Sequence, residues 1–400
     1  MFFDIYPFIN KNLSRSFLII PFGLIFVTNL LITQINGFEY AGELAIFSGS
    51  SSFLAILFGM QWDIEVLVRN KEKLLSSIYS GIATVTFLFL FSLILYFVLS
   101  TLRSDFYLFL ISSAALVGIN EILLSSLIKL HKYKVWIFVR SIPPIALLIF
   151  STSLFKVELA WFYAQLIATI LVTVYYLAPF NLFINKDFTL DLKNLFFRSS
   201  SLIPITLSTL MSNSILLFCL LGISYSLSDF ETGLWVNAYR IFSLPIVLAA
   251  GIAIPFVLSK IGDSNFNLKF KIFFKYFIVM LTLIMLFIPM IYFYGTEFFK
   301  LLTNTDYDLD SYLCMVIYLS ATMHCLIQNM RSFFHSINRV GSFLFILVFF
   351  IALIGLIFIN SSSLLLELIS ERIFYITFFV FTLIILNLWY VKASFQSKKA

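Results

Sequence analysis

The chain has 400 residues, of which 61% are hydrophobic and only 12% charged. Such a composition leaves too little polar surface to keep a chain of this length in water, so a soluble fold is excluded and a polytopic membrane protein is expected. The net charge of +6 would suggest nucleic acid if it were clustered, but its placement along the chain assigns it to membrane topology.

Residues 1–14 include Asp4, Asn10 and Lys11. They lack both a basic leader before a short apolar core and a small-residue cleavage site, so the first span is expected to stay in the mature protein. Twelve apolar runs of about 18 to 27 residues recur, each able to cross roughly 30 Å of hydrocarbon at about 1.5 Å per residue. They are predicted at 14–33, 41–62, 74–100, 106–128, 135–153, 159–181, 199–221, 232–258, 271–294, 311–331, 342–359 and 371–391. The fifth carries Pro143 and Pro144, and the eighth Pro245 and Pro255. Each proline removes an amide donor and crowds the preceding turn, so the eighth helix is expected to bend or break. The 50 phenylalanines read as lipid-facing filler, and Cys219, Cys314 and Cys325 fall inside apolar runs, where neither a disulfide framework nor a metal site is expected.

Orientation follows from Lys and Arg in alternate connections. One set, from Lys11 and Arg15 through Lys398 and Lys399, holds about 21, while the other holds only Arg103, Lys156, Lys300 and Arg372. That bias places both termini in the cytoplasm and excludes a nucleic-acid partner. The opposite side carries acidic residues, among them Glu39, Asp229, Glu231 and the alternation Asp306, Asp308, Asp310. That alternation reads as a solvated loop, not a metal site, because no large outer domain supports it.

An internal repeat is visible. Arg15-Ser16 opens the first span and Arg198-Ser199 the seventh, each six residues before a proline, Pro21 and Pro204. Each of these spans is followed by an acidic outer turn and a glycine at the mouth of the next helix, Gly42 and Gly233. Six spans per half give two parallel repeats. The expected fold is an all-α polytopic membrane protein, with about 12 transmembrane helices in two parallel six-helix lobes around a central cleft. The lobes are placed at 1–190 and 191–400, with the connection 182–198 between them.

One cation, Arg240, lies inside the eighth span. A guanidinium at bilayer depth is costly unless it faces a wet, protein-lined cavity, which makes it a functional-site hypothesis. Asn237, three residues earlier, is expected on the same face. The carboxylate Glu121 lies within the fourth span beside Asn120, where it could carry protons or act as a counter-ion. His324 and His335, near the tenth span, read as core or interfacial histidines in preference to a proton relay. No phosphate-cradling glycine loop is present in the sequence, so this chain carries no ABC-type ATPase.

Three stretches carry a resemblance: Phe38-Glu39-Tyr40-Ala41-Gly42 with Met60-Gln61-Trp62-Asp63; the basic turn Lys129-Leu130-His131-Lys132-Tyr133-Lys134; and Thr232-Gly233-Leu234-Trp235-Val236-Asn237-Ala238-Tyr239-Arg240-Ile241, followed by Pro245. In these the chain resembles the polysaccharide repeat-unit flippases (Wzx-type O-antigen translocases) of the multidrug and oligosaccharidyl-lipid exporter superfamily. The resemblance implies a non-enzymatic, cofactor-free carrier in a bacterial inner membrane. Its substrate would be an oligosaccharide on undecaprenyl pyrophosphate, moved from the cytoplasmic to the outer leaflet. Its partners would be a polysaccharide polymerase and a chain-length regulator. On that reading Arg240 meets the headgroup through charge-assisted hydrogen bonds, although a structural pair with Glu121 or a snorkel to the interface stays open. Asn237 would bind a sugar hydroxyl or orient the phosphate, and Arg140 and Arg331 are further lumen candidates. Arg15 and Arg198 would collect anionic lipid at the cytoplasmic mouths or simply anchor the topology. Glu121 is the candidate for coupling. Two competing readings remain: a cation-coupled drug or metabolite exporter, which favours carboxylates over arginine in its cavity, and a membrane glycosyltransferase or polymerase. The latter calls for a large outer loop, whereas the longest outer connection expected here runs only from about residue 295 to 310.

Overall fold

The computed structural model describes residues 20–68, 74–98, 104–130, 132–153, 156–177, 192–262, 266–336, 346 and 366–397. Arg15, nearly all of the predicted eleventh span, the connection 182–191 and the side chains of Arg198 and His335 lie outside the described residues. Among the described residues all regular structure is helical. The elements are α1 (Ile20–Gly59), α2 (Trp62–Val68), α3 (Leu74–Val98), α4 (Asp105–Lys129), α5 (Tyr133–Thr152), α6 (Val157–Leu177), α7 (Leu192–Ser226), α8 (Asp229–Gly262), α9 (Phe266–Thr303), α10 (Ser311–Ser336) and α11 (Leu366–Ser397). Nine of the described helices are long and apolar enough to cross a membrane. Hydrocarbon offers backbone amides no partner, and a helix satisfies them within one segment. The chain is a multi-pass, all-helical membrane protein.

The first two predicted spans differ from expectation. They form one helical run, α1, broken only at Gly37, whose φ of 87° and ψ of 173° suit a residue without a Cβ. Glu39 to Gly42 are therefore helical and not a turn. The chain next reverses at Met60 and Gln61, both at positive φ (41° and 57°), into the short helix α2. This stretch reads as a loop in the sequence because Asp63 and Glu65 interrupt the apolar pattern. Both sit in the first turn of α2, where acidic groups meet the positive helix end. Residues 192–198, expected in the linker, open α7.

At the start of α8, Ser228 and Glu231 form a capping box. Glu231 Oε2 accepts from the Ser228 amide (3.1 Å) and hydroxyl (2.9 Å), and the Glu231 amide donates to Ser228 Oγ (3.3 Å). The acidic outer turn is thus a helix start. From there α8 is one continuous helix to Gly262 with Pro245 and Pro255 inside it; a single missing amide is tolerated where neighbouring helices support the backbone. The longest expected outer connection also shortens, because α9 continues to Thr303 before Asn304 turns at a φ of 54°. Of the acidic alternation beyond it, Asp308 pairs with Lys300 and Asp310 Oδ2 accepts the Tyr312 amide (2.9 Å) at the start of α10.

The described helices fall into two compact units, Met1–Asn36 with Glu43–Thr206, and Gly37–Gly42 with Leu207–Ala400. In the first, Trp62 and Val66 of α2 pack with Ile78 and Val85 of α3 and Ile122 and Leu123 of α4. A Cβ on Gly81 would lie 2.9 Å from both Trp62 and Ile122, so the absence of a side chain sets how closely α3 approaches. In the second, Trp235 and Phe242 of α8, Phe299 of α9 and Tyr318, Phe333 and Phe334 of α10 are fully buried. The six residues Gly37–Gly42 join this core. Phe38 stacks on Phe299 (6.2 Å) and meets Phe230 edge-on (5.4 Å), while a Cβ on Gly233 would fall 1.7 Å from the Phe38 carbonyl oxygen. The repeat-related glycines therefore meet: a Cβ on Gly42 would lie 3.0 Å from the Gly233 amide nitrogen. Outward faces are apolar, with Phe87, Phe91, Ile94 and Phe97 exposed on α3 and Met285, Leu286 and Phe293 on α9, as lipid-facing helices require.

Candidate functional site

The packed face of α8 comprises Thr232, Leu234, Trp235, Val236, Asn237 and Ala238, all buried. Arg240 follows, half-buried, between this stretch and the buried Ile241 and Phe242. Its Nη1 is shielded from solvent and has no hydrogen-bond partner among the described residues. An unpaired buried donor on a cation forfeits several kcal/mol of hydration, so the site is incomplete without an acceptor.

The Asn237 amide nitrogen donates to the Gly233 carbonyl (2.8 Å) within its own helix. Three-residue spacing puts the two side chains on neighbouring strips of the helix, but Asn237 is fully buried and Arg240 only half-buried. The pairing of Arg240 with Glu121 is also not what the structure contains. Glu121 of α4 is bonded instead to Arg140 of α5, with side chains 41% and 27% exposed respectively. Two candidates proposed for different roles, lumen contact and coupling, are thus one ion pair within the first unit. Close by on α4, Asn120 and Ser113 are buried, and Asn120 Oδ1 and Ser113 Oγ have no partner among the described residues. Arg331 is half-buried near the end of α10, in the same unit as Arg240.

A polar chain beside Arg240 escaped the sequence reading. The Tyr239 hydroxyl lies 2.7 Å from His324 Nδ1 on α10, His324 Nε2 lies 3.3 Å from Gln328 Nε2, and the same Gln328 nitrogen donates to Asn213 Oδ1 on α7 (3.2 Å). One turn over, Asn329 donates to the Tyr276 hydroxyl of α9 (2.9 Å). The signal was present as His324 and Gln328 four residues apart in an apolar span, which puts both on one strip of the helix.

No protein-family model matches the sequence, and no curated protein sequence matches it. Solved structures do. The chain is similar to an inward-facing multidrug resistance MATE family transporter of the MOP superfamily, with a TM-score of 0.64 and 13% identity over 96% of this chain and 99% of that one. The chain shares the fold of that solved transporter. A MATE protein in the bent conformation gives 0.61 at 13% identity over 98% and 96% of the two chains. The lipid II flippase MurJ, in an inward closed conformation, gives 0.61 at 15% identity over 96% and 87%. At these identities the likeness to the transporter fold is one of architecture.

Proposed function

We propose that this protein is a flippase that carries a polyprenyl-pyrophosphate-linked oligosaccharide from the cytoplasmic to the outer leaflet of a bacterial inner membrane by alternating access, with both termini cytoplasmic. The observation that carries this reading is Arg240, an intramembrane guanidinium whose buried Nη1 has no acceptor among the described residues. A diphosphate offers fixed negative charge and oxygens that accept two hydrogen bonds at once, which is what a guanidinium fork binds best. The polyprenyl tail would stay in lipid while the head crosses, so the protein replaces headgroup hydration only. The likeness to a lipid II flippase supports a lipid-linked cargo.

The exporter reading is supported by the MATE likeness. It calls for a carboxylate free to attract a cation, whereas Glu121 is already tied to Arg140. Deletion of the gene followed by analysis of polyprenyl-linked sugars separates the readings. Complete repeat units accumulating on the cytoplasmic face support flipping, incomplete units point to a transferase, and unchanged lipid-linked sugars with altered dye uptake point to drug export.

A further inference from the structure

The His324 imidazole is 6% exposed and held at both nitrogens. Its protonation state follows from its partners. The Asn213 amide nitrogen is committed to the Thr209 carbonyl (3.0 Å), so Asn213 turns its oxygen toward Gln328. Gln328 must then present its nitrogen, which only donates. One of its hydrogens goes to Asn213 Oδ1 and the other faces His324 Nε2, which therefore accepts. With these partners Nε2 accepts and Nδ1 carries the proton donated to the Tyr239 oxygen.

A proton added at Nε2 would set two donors face to face. Gln328 would have to rotate its carbonyl toward the ring, and that oxygen would then oppose Asn213 Oδ1. Asn213 must turn in response and release Thr209. We propose that His324 is a proton-binding site whose occupancy re-sorts the side-chain hydrogen bonds joining α7 and α10. The charged and titratable groups around it come from each neighbouring helix. From α8 there are Tyr239 and the adjacent Arg240; from α10, Cys325 and, two turns on, Arg331; from α7, Cys219, within electrostatic range of Tyr239. From α9 there is Tyr276, bonded to Asn329, and from α11 Glu371 bonds Tyr312 at the start of α10. Gln328 and Asn213 are only half-buried, which gives the proton a polar approach. Tyr239, which precedes Arg240, keeps accepting from Nδ1, and the added charge strengthens that bond beside the guanidinium. The site does not depend on the identity of the substrate.

The chain has 3 histidines, which makes a direct test practical. The full-length protein carrying His131→Gln and His335→Gln is labelled with 15N-histidine and 15N-asparagine in lipid nanodiscs. Expected are an Nδ1–H tautomer at pH 8, an imidazolium at pH 5, and a concurrent shift of the Asn213 side-chain amide, identified by its loss in Asn213→Ser. An Nε2–H tautomer, a ring neutral throughout, or an imidazolium with an unmoved Asn213 signal each overturns the proposal. In liposomes with an NBD-labelled polyprenyl pyrophosphate, the unmodified protein should change its flipping rate about fivefold or more across this range, with His324→Gln flat. Equal pH dependence in both overturns the link to Arg240. No flipping by either protein would sink the flippase reading and leave the nitrogen spectra to decide on His324.

Discussion

At the scale of single residues, the structure divides the arginines by partner. Arg140 has a carboxylate and Arg240 has a buried donor without one. Arg240→Ala should therefore abolish complementation of a deletion strain while membrane abundance stays normal. Arg240→Lys should restore it only partly, because an ammonium keeps the charge and loses the fork. Growth and lipid-linked sugar content measure both, and full complementation by the alanine variant would remove Arg240 from the mechanism. The Glu121–Arg140 pair is half-exposed on both sides, so a double-mutant cycle with Glu121→Gln and Arg140→Gln should give a coupling of about 1 kcal/mol or less in denaturant unfolding followed by tryptophan fluorescence. A coupling of about 3 kcal/mol or more would mean the pair is sealed from water.

At the scale of helices, hydrophobic run length located most of the spans, since every apolar stretch must close its own hydrogen bonds in lipid. What run length does not encode is which face packs. Asn237 and Arg240 have the same kind of neighbours in sequence, yet only the tertiary contact of α8 decides that one is buried and the other half-buried. His324 and Gln328 were visible as residues, but their bonds to Tyr239 and Asn213 depend on helices far apart in the chain. Acidic residues misled the reading in a consistent way. Glu39, Asp63, Asp229 and Glu231 look like loop markers, although each lies in or near the first turn of a helical segment. Gly233→Ala would drive a methyl into the Phe38 carbonyl and should cost about 1 to 3 kcal/mol or more of stability, whereas Gly23→Ala, with nothing within 4 Å of the added carbon, should be close to neutral. Thermal unfolding of the two purified variants in the same detergent makes the comparison.

At the scale of the whole molecule, the proposed cargo moves charge. A head with about two negative charges leaving a cell whose interior is negative by roughly 100 mV gains on the order of 5 kcal/mol from the field, less whatever bound cations cancel. Flipping of the labelled polyprenyl pyrophosphate should accelerate when a potassium–valinomycin gradient makes the cytoplasmic side negative. A rate indifferent to that gradient would shift the driving force to an ion gradient.

The short piece Gly37–Gly42 belongs to a body otherwise built from residues 207 onward. A fragment beginning near residue 207 would thus be born missing six of its own residues, with the notch opposite Gly233 left empty. Expressed alone, it should be degraded. Supplied with a separately made N-terminal fragment, it should be rescued and copurify, and a version of that fragment lacking residues 37–42 should fail to rescue it. Two genes could then share this protein between them, but only if the first keeps custody of a part the second needs.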